Sequence, residues 1–334
     1  MMKNTPVVIF FFFALFFHPA FAQTPGELHE TAKSFMRQGD YANAIQVLNR
    51  SLEQDPKNTA MAKDLAMSYF YQRDNLKAVE IIKTLADRDD ADDQVFQIAG
   101  MIYRQAGNGK ESEKIYKKGL KKFPDSGPLY NELGVLQAAD KNRDAIETWE
   151  KGIKRDPSYG RNYYNAARYY FFTTDKIWSI IYGEMFINME PTGSKTPEMK
   201  QLIIDSYKKL FADPDLEKTA ADKNRFEKTY LQALNRQKAV VREGINTETL
   251  SMLRTRFIVE WFAMPKPPPF RLFEYQRQFL KEGMFEAYNQ WLFGASENLA
   301  AYENWISIHS SENNAFSELQ KARIFKVPSG QYYK

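Results

Sequence analysis

Between residues 25 and 193 the hydrophobic positions follow a helical period set inside a longer beat. Small residues stand at Ala32, Ala66, Gly100, Gly134 and Ala167, in steps of 34, 34, 34 and 33. Four residues before each comes Leu28, Ala62, Phe96, Tyr130 or Tyr163, and three after each comes Phe35, Tyr69, Tyr103, Gln137 or Tyr170. A second small residue follows at Ala44, Ala78, Ser112, Ala145 and Ser179, and most copies close on a proline, at Pro56, Pro124, Pro157 and Pro191, with Asp90 as the exception. Apolar residues at this spacing predict amphipathic helices. The small residues predict that the helices come in antiparallel pairs whose backbones approach closely, with the large residues one turn away filling the gap. Gly39-Asp40 and Gly107-Asn108 are expected to turn the chain between paired helices, and each proline to end the second helix, which it cannot continue.

At these residues the sequence resembles the tetratricopeptide repeat family, whose W-x2-L-G-x2-Y, A-x3-F and P pattern has a 34-residue period. Phe96, Ala99-Gly100, Tyr103, Ser112, Tyr116 and Pro124 reproduce it almost in full. Five copies fill residues 23–193, the fifth with Gly183 where a large residue is expected. The resemblance implies an all-α, TPR-type α-solenoid, right-handed and with a concave surface, because one hairpin cannot bury its apolar face and neighbours must stack. It also implies that the first helix of each hairpin lines a groove. The groove residues would be Lys63 and Met67; Gln97, Met101 and Arg104; Asn131 and Val135; Tyr164, Arg168 and Phe171, with Phe172 beside it. This mixture of amide, guanidinium and aromatic groups suits an extended or helical peptide. Within "NYYNAARYYFF", Tyr163, Tyr170 and one of Phe171 and Phe172 are expected in the core. One subfamily grips acidic chaperone tails with a Lys and an Asn in its first hairpin; here His29 and Lys33 stand in those places, which disfavours that ligand.

From Ser194 the beat fades and a helical C-terminal domain is expected. Residues 194–264 continue as helices, with Leu231, Leu234 and Val241, then Leu250, Leu253, Phe257 and Trp261, at helix spacing. The Pro-rich stretch 265–269 reads as a stiff connector. Residues 270–334 place Leu272, Tyr275, Phe279, Gly283 and Phe285 in the register of the earlier hairpins, but Gln276 and Tyr288 occupy the small positions. This is either a degenerate repeat or an unrelated helical pair. Gly294 is expected to stop one helix, Ser296 to cap the next, Ser311 to cap the last, and "KVPSGQYYK" to form surface coil.

Composition narrows the functional classes. Residues 1–22 read as a signal peptide with cleavage after Ala20-Phe21-Ala22, since the apolar run is shorter than the roughly 20 residues that span a bilayer. No integral span is expected after cleavage, and no Cys follows the run for lipid attachment. These features lead to an exported bacterial protein, periplasmic or secreted, and not a lipoprotein. With 46 Lys and Arg against 42 Asp and Glu, there is no basic excess to hold nucleic acid. His29-Glu30 is followed by Lys33 where a zinc-protease helix needs its second His, and neither a nucleophile elbow nor a phosphate loop occurs. Acid pairs such as Glu260 and Glu274 read as surface charge, and Trp261, Trp291 and Trp305 as core or interface anchors. No catalytic residue, cofactor site or metal site is expected. The reading is a non-enzymatic scaffold that binds another protein or peptide in its groove. The alternatives are a C-terminal envelope hydrolase or lyase targeted by the repeats, and a homo-oligomeric envelope component.

Overall fold

The structure, a computed structural model, describes residues 23–213, 216 and 223–334; the signal peptide expected at residues 1–22 lies outside them. No strand occurs among the described residues. The chain divides into two compact units, Met1–Leu85 and Ala86–Lys334.

The first unit contains α1 (Pro25–Arg37), α2 (Tyr41–Gln54), α3 (Thr59–Tyr71) and α4 (Asn75–Ala86), the last ending one residue past the boundary. Thr24 opens α1 with a capping box: its hydroxyl accepts from the Glu27 amide while the Glu27 carboxylate accepts from the Thr24 amide. Ala32, Ile45, Leu48, Met61 and Leu65 form the core of this unit.

The second unit begins with α5 (Asp93–Gln105), α6 (Gly109–Lys122), α7 (Gly127–Ala139), α8 (Ala145–Arg155), α9 (Gly160–Phe171) and α10 (Lys176–Met189). It goes on through α11 (Thr196–Phe211), α12 (Arg225–Arg236), α13 (Thr247–Ala263), α14 (Arg271–Lys281) and α15 (Phe285–Asn289), then α16 (Leu299–Ile308) and α17 (Ser310–Ala322). One hydrophobic core runs from Ala145 to Val327. Leu231, Leu234, Val241, Leu250, Leu253, Phe257 and Trp261 all lie in it, as their spacing predicts.

The small positions do what the sequence asks of them. Ala32, Ala66 and Ala167 are fully buried. A Cβ at Gly100 would stand 2.2 Å from Tyr116 Cε1, and one at Gly134 would stand 2.3 Å from Trp149 Nε1. The paired helices therefore meet backbone to ring at these two points. The turns repeat as well. Gly39, Arg73, Gly107 and Lys141, each 34 residues after the last, all have positive φ, and only two of them are the glycines that tolerate it without cost. Each lets the next amide bond back to a carbonyl five residues earlier, as in Asp40 N to Phe35 O at 2.9 Å and Asn108 N to Tyr103 O at 2.9 Å. Asp55, Phe123, Asp156 and Glu190 end their helices in extended φ, as residues before proline must.

The same turn returns at the α14–α15 corner. Gly283 has φ +72, and Met284 N bonds Phe279 O at 2.9 Å. This corner thus shares the turn geometry of the earlier hairpins. Two expectations fail nearby. Gly294 does not stop a helix: α15 runs on through a π-helical turn (Gln290–Gly294) into Ala295–Glu297. The absent side chain at Gly294 leaves room for Tyr302, whose Cδ2 would lie 2.6 Å from a Cβ there. Asn298, not Ser296, caps α16 by accepting from the Ala301 amide. The final stretch, residues 326–334, is coil as expected, with Val327 alone buried within it.

Candidate functional site

The expected groove residues of the second unit fall on α5, α7 and α9, the first helices of consecutive hairpins. Neighbouring first helices are tied by polar pairs about one repeat apart. Arg104 lies 4.0 Å from Glu132, the Asn165 amide donates to Asn131 Oδ1 at 2.8 Å, and Arg168 lies 3.3 Å from Glu198. Gln97, Met101, Arg104 and Val135 are half-buried along this line, while Asn131 is buried and committed to Asn165 and Glu132. Lys63 is half-buried on α3 of the first unit.

Tyr164 is buried too. Its ring packs 5.1 Å from Phe186, its hydroxyl donates to Glu198 at 2.9 Å, and the Arg168 guanidinium stands 5.5 Å from the ring centre. Burial, then the bond to Glu198, pushes the Tyr164 phenol up. Its role is to hold Arg168 and Glu198 in place, with little surface left for a ligand.

The two phenylalanines at the end of α9 part company. Phe171 is half-buried, with the Lys209 ammonium 3.7 Å from its ring centre. Phe172 is 80% exposed and faces a cleft of about 320 Å³ lined by Val135, Ala138, Trp149, Asn165, Arg168 and Tyr169. Val135 and Arg168 of the expected groove thus meet in one cleft, and Phe172 rather than Phe171 borders it. Tyr163 and Tyr170 are core, as expected. The site has an apolar wall, a guanidinium at its rim and a fully presented aromatic ring, which suits an apolar side chain beside a backbone carbonyl or carboxylate.

His29 is buried in the first unit, with Nε2 2.7 Å from Asp64 Oδ2. Glu260 pairs with Arg236 and accepts from Gln237 at 2.8 Å. Among the described residues, no group of His, Cys, Asp and Glu is arranged to hold a metal. Trp261 is core and Trp305 stacks on His309 at 4.7 Å.

A second constellation escaped the sequence reading. Glu184 of α10 is fully buried, and its Oε1 receives Arg254 Nη2 at 2.5 Å, Gln276 Nε2 at 2.6 Å and the Tyr288 hydroxyl at 2.7 Å. The guanidinium is also flanked by the rings of Phe285, Tyr288 and Phe293. Gln276 and Tyr288 were the signal. They stand where the repeat wants small residues, because here the space between helices is filled by a polar cluster instead of by close backbone contact.

Residues 35–102 match the tetratricopeptide repeat family. A TPR-containing protein of Dictyostelium discoideum is 36% identical over 72 residues, 21% of this chain, and the aligned stretch is only 6% of that protein's length. Among solved structures, MamA aligns over 49% of this chain and 96% of its own, at 20% identity and a TM-score of 0.40. PilW, a type IV pilus biogenesis factor, aligns over 63% and 99%, at 16% identity and 0.45. A thermophilic TPR protein of Thermus thermophilus aligns over 56% and 99%, at 16% and 0.43. Residues 35–102 therefore carry tetratricopeptide repeats, and the described residues around them are all-α. Among the described residues, no helix is long and apolar enough to cross a membrane.

Proposed function

We propose that the chain is an exported, non-enzymatic adaptor of the bacterial cell envelope that holds a partner polypeptide along α7 and α9. The observation that carries this reading is the cleft between Val135, Arg168 and Phe172. A phenylalanine 80% exposed at the mouth of a cleft gains most from a partner that covers it. Arg168 beside it supplies a donor for a carbonyl or carboxylate of the same partner. Export rests on the composition of residues 1–22.

Photo-crosslinking tests the cleft. A benzophenone amino acid at position 172 should give a discrete adduct in the native envelope, and Val135→Asp should abolish it. The same group at Leu76, itself 86% exposed, serves as the control. Adducts at 172 no different from those at 76, or unaffected by Val135→Asp, would refute the assignment. Export is tested by the N-terminus of the protein recovered from the periplasmic fraction, expected at Gln23. An uncleaved chain confined to the cytosol would contradict it.

A further inference from the structure

Beyond α17 the chain is extended, and among the described residues no backbone-to-backbone hydrogen bond holds residues 324–334. Side chains hold them instead, in two groups separated by a hinge. Phe325 and Val327 are buried, and Gly330 then turns the chain at φ +87. Past Gly330 the contacts are those of a docked peptide. Gln331 Oε1 accepts from the Arg271 amide at 2.6 Å. The Tyr333 ring stacks on Phe226, centres 4.7 Å apart and planes 5° apart, while its carbonyl accepts from Asn224 Nδ2 at 2.7 Å. The Lys334 ammonium lies 2.9 Å from Asp175 Oδ2 and 3.2 Å from Glu227 Oε1, with the rings of Tyr170 and Trp178 at 5.2 and 5.8 Å.

The pocket under Lys334 has the chemistry of a cation reader. Asp175 and Glu227 are almost out of water, their side chains 11% and 4% exposed; Asp175 Oδ2 is shared between Lys334 and Lys223, each at 2.9 Å, and Trp178 Nε1 donates to the same Glu227 oxygen that Lys334 meets. Glu150 adds a third carboxylate nearby, accepting from the Tyr170 hydroxyl at 2.7 Å. Carboxylates beneath aromatic faces select an ammonium by charge-assisted bonds and by the ring quadrupoles together. The flat face of Phe226 selects the aromatic residue before it. Because no backbone-to-backbone bond among the described residues holds residues 331–334, and Gly330 separates them from the buried anchor, they can leave without unravelling a helix.

We propose that this is a second peptide site, specific for an aromatic–aromatic–lysine segment, which Gln331–Lys334 keep filled until such a segment of a partner protein displaces them. The site is built on α8, α10 and α12, and it does not depend on the cleft at Val135 and Phe172.

The test uses a fluorescein-labelled peptide of residues 328–334 and fluorescence anisotropy. A chain ending at Gly330 should bind it saturably and at least ten-fold more tightly than the full chain. Asp175→Asn with Glu227→Gln in the shortened chain should remove that binding, as should alanine in place of the peptide's lysine. If the shortened chain keeps its helical circular dichroism and fails to bind, or binds the alanine peptide equally well, the proposal is overturned. Should shortening unfold the chain, full-length Lys334→Glu decides: peptide binding is expected, and its absence in a helical protein overturns the proposal.

Discussion

Arg254 of α13 meets Glu184 of α10 at 2.5 Å with both side chains almost wholly out of water, 3% and 2% exposed. The pair joins α10 to α13 within the second unit. Burial alone disfavours a charged guanidinium, but Glu184, Tyr207 and Tyr288 outweigh it and hold Arg254 firmly protonated. Removing one member of such a pair strands the other charge, which costs about 3–5 kcal/mol. Arg254→Met is expected to lower the unfolding free energy in urea by that amount, and Glu184→Met with Arg254→Met to recover much of it. A single variant as stable as the wild type would show that the pair holds nothing together.

Gly100 has no room for a methyl group against Tyr116. Gly100→Ala should cost about 1–3 kcal/mol through overpacking, read as a lower thermal midpoint with helicity intact below it.

Lys141 has φ +56 at the position that Gly39 and Gly107 hold in other repeats. Left-handed backbone costs a residue with a Cβ roughly 1 kcal/mol. Lys141→Gly should therefore raise the denaturant midpoint, and a fall would mean the lysine makes contacts worth more than the strain.

Lys200 carries a pH signature. Its ammonium bonds the Trp291 carbonyl and sits 4.0 Å from the Trp291 ring centre, and burial pushes its pKa down to about 8. The unfolded chain binds this proton more tightly than the fold does, so folding is penalised below about pH 8, and the penalty lifts as pH rises towards the ordinary lysine value. Lys200→Met should stabilise the protein near pH 7, by up to about 3 kcal/mol. The advantage should shrink between pH 8 and 10. A difference from wild type that stays constant across that range would rule out titration as its source.

The repeats were legible because each of their contacts returns after one period: Ala32, Gly100 and Ala167 carry the same message in the same place. The cleft was half legible. Val135 and Arg168 could be placed by analogy of position, whereas the choice between Phe171 and Phe172 depends on where α9 ends, and Phe172 caps it in a helical conformation that swings its ring outward. What could not be read are the contacts made once only. Lys334 finds Asp175 across 159 residues, and Asn224 finds the Tyr333 carbonyl across 109. No local spacing announces such pairs. Gln276 and Tyr288 were visible as misfits, but only the presence of Glu184 gives them a purpose.

The reach of the Glu184 cluster also sets a clock for biosynthesis. Its partners are encoded 70, 92 and 104 residues later. At ribosomal speeds of about 5–20 residues per second, roughly 5–20 s separate the synthesis of Glu184 from that of Tyr288. Whenever the chain is delivered N-terminus first, α10 arrives with a carboxylate among apolar residues and no guanidinium yet to neutralise it, so this helix should settle after the hairpins that precede it.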